Sequence, residues 1–143
     1  MLIEKVKEEE YFELVKILNY YRSERGGEAL GAAEISSLYE AVSTDAVAFY
    51  AVKENGNLIA VCSVAIIYSA TECTYAGMIE NAYVLPLYRK RGLLRRLMEF
   101  ANDVLTKSGI EIMITQAYST DEEIAKKLGF DTRMGVLMCR KLK

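Results

Sequence analysis

"IENAYVLPLYRKRGLLRRLMEFA", residues 79 to 101, runs from a β-rich stretch through a strongly basic turn into a helical stripe. Arg89, Lys90, Arg91, Arg95 and Arg96 surround Gly92, just after the sole proline, Pro86, and no Asp or Glu occurs between Asn81 and Met98. The chain around this cluster is slightly acidic, with 18 Lys and Arg against 20 Asp and Glu and a net charge of -2. A strand ending at about Val84 and a helix beginning at about Leu93 place the turn at a helix N-terminus. Unpaired backbone N–H groups there form a ready anion site. Gly92 permits backbone geometry that a side chain would hinder. Basic side chains oppose the helix dipole at that end. Two readings follow: a solvated basic surface, or a site for a compact polyanion such as a phosphate, with the cationic side chains as charge-assisted donors. Neither the Walker phosphate loop nor the GxGxxG fingerprint is present. One short cluster on an acidic chain also lacks the extended basic face of a nucleic-acid binder.

Outward from this stretch, hydrophobic periodicity predicts the remaining elements. The helix runs from about Leu93 to Lys107, and "IEIMITQAY" (110–118) reads as a buried strand. Residues 79–117 thus form a βαβ unit, with its two strands parallel. Upstream, a short strand (Leu2–Val6), a long amphipathic helix (Glu8–Arg25) and a second helix (Ala32–Val42) precede strands at Val47–Lys53 and Leu58–Tyr68. Those two strands flank Asn55-Gly56, a strong hairpin signal, and a third covers Tyr75–Val84. Downstream come a short helix, Asp121–Leu128, and a last strand, about Gly135–Leu142. Together they give an α/β arrangement (an α+β mixed sheet) as one domain over residues 1–143.

Composition removes several function classes. Histidine is absent, which excludes serine–histidine and cysteine–histidine nucleophiles and histidine metal sites. Cys62, Cys73 and Cys139 are odd in number and widely spaced, so no disulfide framework or metal cluster can be read from them. Cys62 and Cys139 read as core residues and Cys73 as a loop residue. No apolar run is long enough to span a membrane, and the start lacks the pattern of a signal peptide. A cytoplasmic setting is expected.

The quoted stretch resembles the signature of the GNAT superfamily, the acetyl-CoA-dependent N-acetyltransferases. In that family V-x-P-x-Y precedes an R/Q-x-x-G-x-G/A loop and a helix; Val84, Pro86, Tyr88, Arg89 and Gly92 match directly. "IAKKLGF" (124–130) resembles the family's second landmark, usually a Tyr followed four residues later by Gly-Phe. The resemblance implies the GNAT-like acyl-CoA N-acyltransferase fold. That is a mostly antiparallel sheet with one parallel pair splayed for the cofactor, and helices on both faces. It implies acetyl-CoA as co-substrate, no metal, and direct attack of a primary amine on the thioester. The acceptor would be a small molecule or a peptide, with no membrane partner; many relatives are homodimers. By the same resemblance, the N–H groups of Arg89, Lys90, Arg91, Gly92, Leu93, Leu94 and Arg95 cradle the pyrophosphate. Ala82 and Val84 then lend backbone bonds to the pantetheine arm.

Glu80 is the expected base for the ammonium. It lies four residues before Val84, on what regular alternation makes the same strand face; its other reading is an ion-paired surface carboxylate. Three positions depart from the pattern. Leu94 replaces the loop's last small residue and is expected to crowd the phosphate approach. Ala125 replaces the Tyr that serves as general acid. Tyr118 stands where an Asn is common, and is either a substitute hydroxyl donor or an aromatic packed at a strand end. Ala125 and Leu94 keep open an alternative, a non-catalytic GNAT-like module that holds coenzyme A or a partner.

Overall fold

The structure, a computed structural model, describes residues 1–117 and 121–142. Its elements in chain order are β1 (Leu2–Lys5), a 3-10 turn (Glu8–Glu10), α1 (Tyr11–Glu24), α2 (Ala32–Ser43), β2 (Ala48–Glu54), β3 (Asn57–Ser69) and β4 (Thr74–Val84). A second 3-10 turn (Pro86–Tyr88), α3 (Leu93–Lys107), β5 (Ile112–Thr115) and α4 (Glu122–Lys127) follow. The five strands lie in the order β1-β2-β3-β4-β5. The first three junctions are antiparallel, and β4 pairs with β5 in parallel. Between β2 and β3 the predicted hairpin forms, with Asn55 at φ 51° and Gly56 at φ 79°. Two successive positive φ values match the twist of the flanking strands.

The sheet separates two apolar layers. On one face Leu14, Ile17 and Leu18 of α1 meet Phe49, Ala51, Val61 and Tyr83. On the other, Leu93, Leu97, Met98, Ala101 and Leu105 of α3 meet Tyr50, Val52, Cys62, Val64 and Ile79. Strands β2 and β3 are covered on both sides, which is why their sequences are nearly continuous apolar runs rather than alternating ones. The C-terminal end of α3 sits directly on β4. A Cβ added at Gly77 would lie 2.5 Å from Leu105 Cδ1, and Leu105 is itself buried.

A polar knot closes the β1 side. Lys53 is only 8% exposed, and its ammonium donates to Glu10 Oε1 at 2.6 Å and to Glu4 Oε1 at 2.9 Å. Burial opposes the charge on Lys53, but the hydrogen bonds to the two carboxylates outweigh it and raise its pKa. Burial likewise opposes the charge on Glu10, yet the bonds from Lys53 and the Lys7 N–H hold its pKa below the usual value.

The chain departs from expectation in two places. Residues 130–142 form neither helix nor strand, so the strand expected at Gly135–Leu142 is not part of this sheet. Its composition is β-prone, but a strand requires a ladder partner, and among the described residues this segment has none. Cys139 is exposed with it rather than buried, whereas Cys62 is fully buried, and burial pushes its thiol up to about 12. No helix among the described residues is long and apolar enough to cross a membrane.

Two predictions follow from these contacts. Gly77→Ala should destabilise the fold by roughly 1–3 kcal/mol, because the added methyl group drives the Leu105 side chain out of its seat on β4; chemical denaturation measures this. Lys53→Met should lower the melting temperature at neutral pH. Because Glu10 carries a depressed folded pKa, its stabilising contribution is lost as pH falls through that value. The gap between wild type and variant should therefore shrink on acidification, as read from melting temperatures across a pH series.

Candidate functional site

The parallel ladder between β4 and β5 begins at Ala76↔Ile112 and ends at Ile79↔Thr115. Beyond it, among the described residues, β4 continues to Val84 with a partner, β3, on one side only. The sheet is therefore forked, and Ala82 and Val84 line the free side of the fork. Its vertex is pinned by Thr115, whose hydroxyl donates to the Ile79 carbonyl at 2.8 Å. An extended ligand laid in such a fork would find unpaired backbone groups, which are costly to leave buried without a partner.

Just past the vertex, β4 bulges. Val61 pairs with Tyr83 but Ser63 pairs with Glu80, so three steps on β4 oppose two on β3. Asn81 takes up the extra residue with φ 52°, and its amide donates to Ser63 Oγ at 3.0 Å. Ser63 in turn donates to the Glu80 carbonyl at 3.0 Å. A bulge shifts the alternation by one residue. Glu80 therefore does not share the face of Val84, as regular alternation required. Directly opposite Ser63, it stands with Tyr83 on the α1 face, while Val84 packs against the α3-face core. Its carboxylate is exposed and lies one residue beyond the end of the parallel ladder.

The fork opens toward the basic turn. Lys90 has φ 63° and Gly92 φ 74°. At Gly92 an added Cβ would meet nothing within 4 Å, so glycine is favoured there by its left-handed backbone alone. Successive N–H groups turned by such alternation form anion-binding concavities. The first helical bond of α3 runs from the Arg96 N–H to Gly92 O at 3.1 Å. Among the described residues, the N–H groups of Lys90, Arg91, Gly92, Leu93, Leu94 and Arg95 make no backbone bond. Leu94 turns its side chain into the α3-face core, so its bulk is withdrawn from the loop rather than crowding the anion approach.

The cationic side chains divide in a way the sequence did not indicate. Arg89 leaves the loop, giving Nε to the Val84 carbonyl at 2.9 Å and one amino group to both Glu24 oxygens at 2.8 Å. Its guanidinium also lies 5.4 Å from the centroid of the Tyr83 ring, and the Tyr83 hydroxyl donates to Glu24 Oε1 at 2.9 Å. Bonds from Arg89 first, then Tyr83, hold the Glu24 carboxyl below its usual pKa. Burial, aided by Glu24, pushes the Tyr83 phenol up to about 12. Arg95 donates to the Lys127 carbonyl at 2.9 Å, tying α3 to α4. Arg91 stacks 5.2 Å from the centroid of Tyr88, and the Lys90 and Arg96 side chains carry no hydrogen bond or ion pair among the described residues. Arg89 and Arg95 thus serve as structural clamps, whereas Lys90, Arg91 and Arg96 have no hydrogen-bond or ion-pair partner among the described residues. One signal for the Arg89 clamp was available: Glu24 sits at the negative end of the α1 dipole, where a carboxylate needs a compensating partner.

Ala125 lies in α4, where its carbonyl accepts the N–H groups of Leu128 and Phe130 and its methyl group has no proton to give. Tyr118 lies outside the described residues.

Comparison with known proteins accords with this architecture. The profile described as the Acetyltransferase (GNAT) family matches residues 14–130. No curated protein sequence matches the chain. Among solved structures, glucosamine-6-phosphate N-acetyltransferase from Arabidopsis thaliana superposes with a TM-score of 0.78 at 19% identity, covering 99% of this chain and 98% of that one. A predicted acetyltransferase from Clostridium acetobutylicum, solved with acetyl-CoA, gives 0.80 at 19% identity, covering 97% and 95%. An aminoglycoside acetyltransferase from an uncultured soil metagenomic sample, in complex with sisomicin, gives 0.84 at 13% identity, covering 99% and 96%. With the forked sheet, the bulged strand and the turn of unpaired amides in one continuous match, this chain belongs to the GNAT family of acetyltransferases.

Proposed function

We propose that the protein transfers an acetyl group from acetyl-CoA to a primary amine on a small molecule or peptide. The observation that carries this reading is the line from the fork at Ile79–Thr115 to the unpaired amides of Lys90–Arg95. A pantetheine arm in the fork would take backbone bonds from Ala82 and Val84. Its diphosphate would then meet the amides at the start of α3, with Lys90, Arg91 and Arg96 adding charge. That placement brings the thioester to the vertex, where Glu80 projects from the α1 face.

The chemistry asks for two proton movements. An alkylammonium with a pKa of about 10 must lose a proton before it can attack. Glu80, directly or through one water, takes that proton. The free amine nitrogen then bonds to the thioester carbonyl carbon, the C–S bond breaks, and the sulfur leaves with the electron pair, while the surplus proton on nitrogen passes through solvent to the thiolate. A thiol of pKa about 8.5 is a tolerable leaving group as thiolate. The reaction therefore does not depend on a donor at Ala125, and the Tyr118 hydroxyl is a second donor candidate. Products are the amide and free coenzyme A.

Ala125 supports one competing reading, a module that binds coenzyme A without turnover. A panel of amino acids, polyamines, aminoglycosides and peptides, assayed for thiol release from acetyl-CoA, separates the two. We expect release with at least one amine class. Glu80→Gln should slow it by about 10²–10⁴-fold, the usual worth of a general base, while coenzyme A binding measured by calorimetry stays unchanged. Thermal stabilisation by coenzyme A without thiol release for any amine would favour the binding module instead.

A further inference from the structure

The α1 face of the sheet carries a patch outside the layer that α1 covers. The registers of β3, β4 and β5 align Ile67 with Ala76 and Ile112 in one rung, and Ala65 with Met78 and Ile114 in another. Between them lies the rung of Gly77 and Met113, which meets Leu105 and the α3-face core. Because successive side chains alternate, the two flanking rungs turn to the other face, the face of Glu80. All of these residues but Gly77 and Met113 are apolar side chains that belong to neither apolar layer. Ile67 is 37% exposed, and Ala65, Met78, Ile112 and Ile114 are half-buried. The next rung on this face toward the fork is Ser63 with Glu80, where β5 has already stopped.

The patch has the dimensions of a small molecule. Strands about 4.8 Å apart and rungs about 7 Å apart make its area on the order of 200 Å². One aromatic side chain buries about that much, whereas a stable protein interface takes roughly 800 Å² from each partner. At about 3.3 Å per residue, Met78 lies about 7 Å and Ala76 about 13 Å from Glu80 along β4. Neither apolar rung carries a charged side chain. A polyamine or an aminoglycoside held at Glu80 would lay its further ammonium groups over these rungs without a partner, and desolvation penalises that. An alkyl or arylalkyl group laid there would instead leave water.

We propose that the acceptor is a monoamine with an apolar body, an alkyl or arylalkyl group that lies across the two rungs while its nitrogen meets Glu80. This rests on acetyl transfer as read above and adds the class of acceptor. The order along β4, carboxylate first and apolar rungs behind it, matches the order of an amine head and its tail. Burial on the rungs supplies affinity and measures the length of the tail. The carboxylate fixes which end of the molecule points toward the fork.

A homologous series of amines from propylamine to hexylamine, assayed for thiol release from acetyl-CoA beside spermidine and kanamycin, tests this. kcat/KM should rise about fourfold per added methylene, the equivalent of about 0.8 kcal/mol for each CH₂ removed from water. Ile67→Asp should flatten that rise and lower kcat/KM for hexylamine by about tenfold or more. Should that variant fail to fold, the unaltered protein loaded with coenzyme A decides the matter: nuclear Overhauser contacts should join hexylamine to the methyl groups of Ile67, Met78 and Ile114. A flat series, or a preference for spermidine or kanamycin, overturns the inference and leaves acetyl transfer standing. Absence of thiol release with every amine overturns acetyl transfer instead. In that case the same methyl contacts uphold this face as the site of an apolar amine, and their absence overturns it too.

Discussion

The end of the parallel ladder at Ile79 and Thr115 governs the arrangement of everything around it. Had β5 continued beside β4, the backbone groups of residues 80–84 would be saturated and no extended ligand could borrow them. Because it stops, β4 has, among the described residues, one paired side and one open side over its last five residues. The Thr115 hydroxyl on the Ile79 carbonyl marks the point at which protein-to-protein bonding gives way. From that point the strand delivers its free edge straight to the start of α3, and α3 is in turn fixed by the seat of Leu105 on Gly77.

The bulge at Asn81 is the second half of the same device. One extra residue on β4 reverses which side chains meet which layer, so Glu80 faces the α1 side while Val84 stays with the α3 core. A carboxylate is thereby placed at the mouth of the fork without being buried in it. The Ser63–Asn81 hydrogen bonds hold the left-handed residue in place and offset part of its backbone cost. The Arg89–Glu24–Tyr83 cluster then links the end of α1 to the end of β4, so that helix and that strand share one set of charge-assisted bonds.

Much of this was legible in the sequence because its signals are local. Asn55-Gly56 specifies a tight hairpin whatever surrounds it, and the apolar stripe of Leu93–Lys107 gives the bounds of α3 directly. Gly92 after a basic run marked the turn into α3, and the structure places its φ where glycine is favoured. What escaped was set by tertiary context. A bulge leaves no composition signature at Asn81, so alternation counted from Val84 put Glu80 on the wrong face. Arg89 and Arg95 looked equivalent to Lys90 and Arg91 as charges, but their partners, Glu24 and the Lys127 carbonyl, come from elements far along the chain. Leu94 looked like an obstruction because its identity was visible and its direction was not. Residues 135–142 have the composition of a strand, but among the described residues they form no ladder, and composition alone cannot supply one.

The central claim is that main-chain amides at the start of α3 hold the diphosphate of an acyl carrier. Backbone amide shifts recorded during titration with coenzyme A test it most directly. The account predicts saturable displacement of the Lys90–Arg95 resonances together with Ala82 and Val84, and much smaller displacement from inorganic phosphate at equal concentration. Saturable binding that leaves those amides unmoved, or a response no greater than that to phosphate, would contradict it.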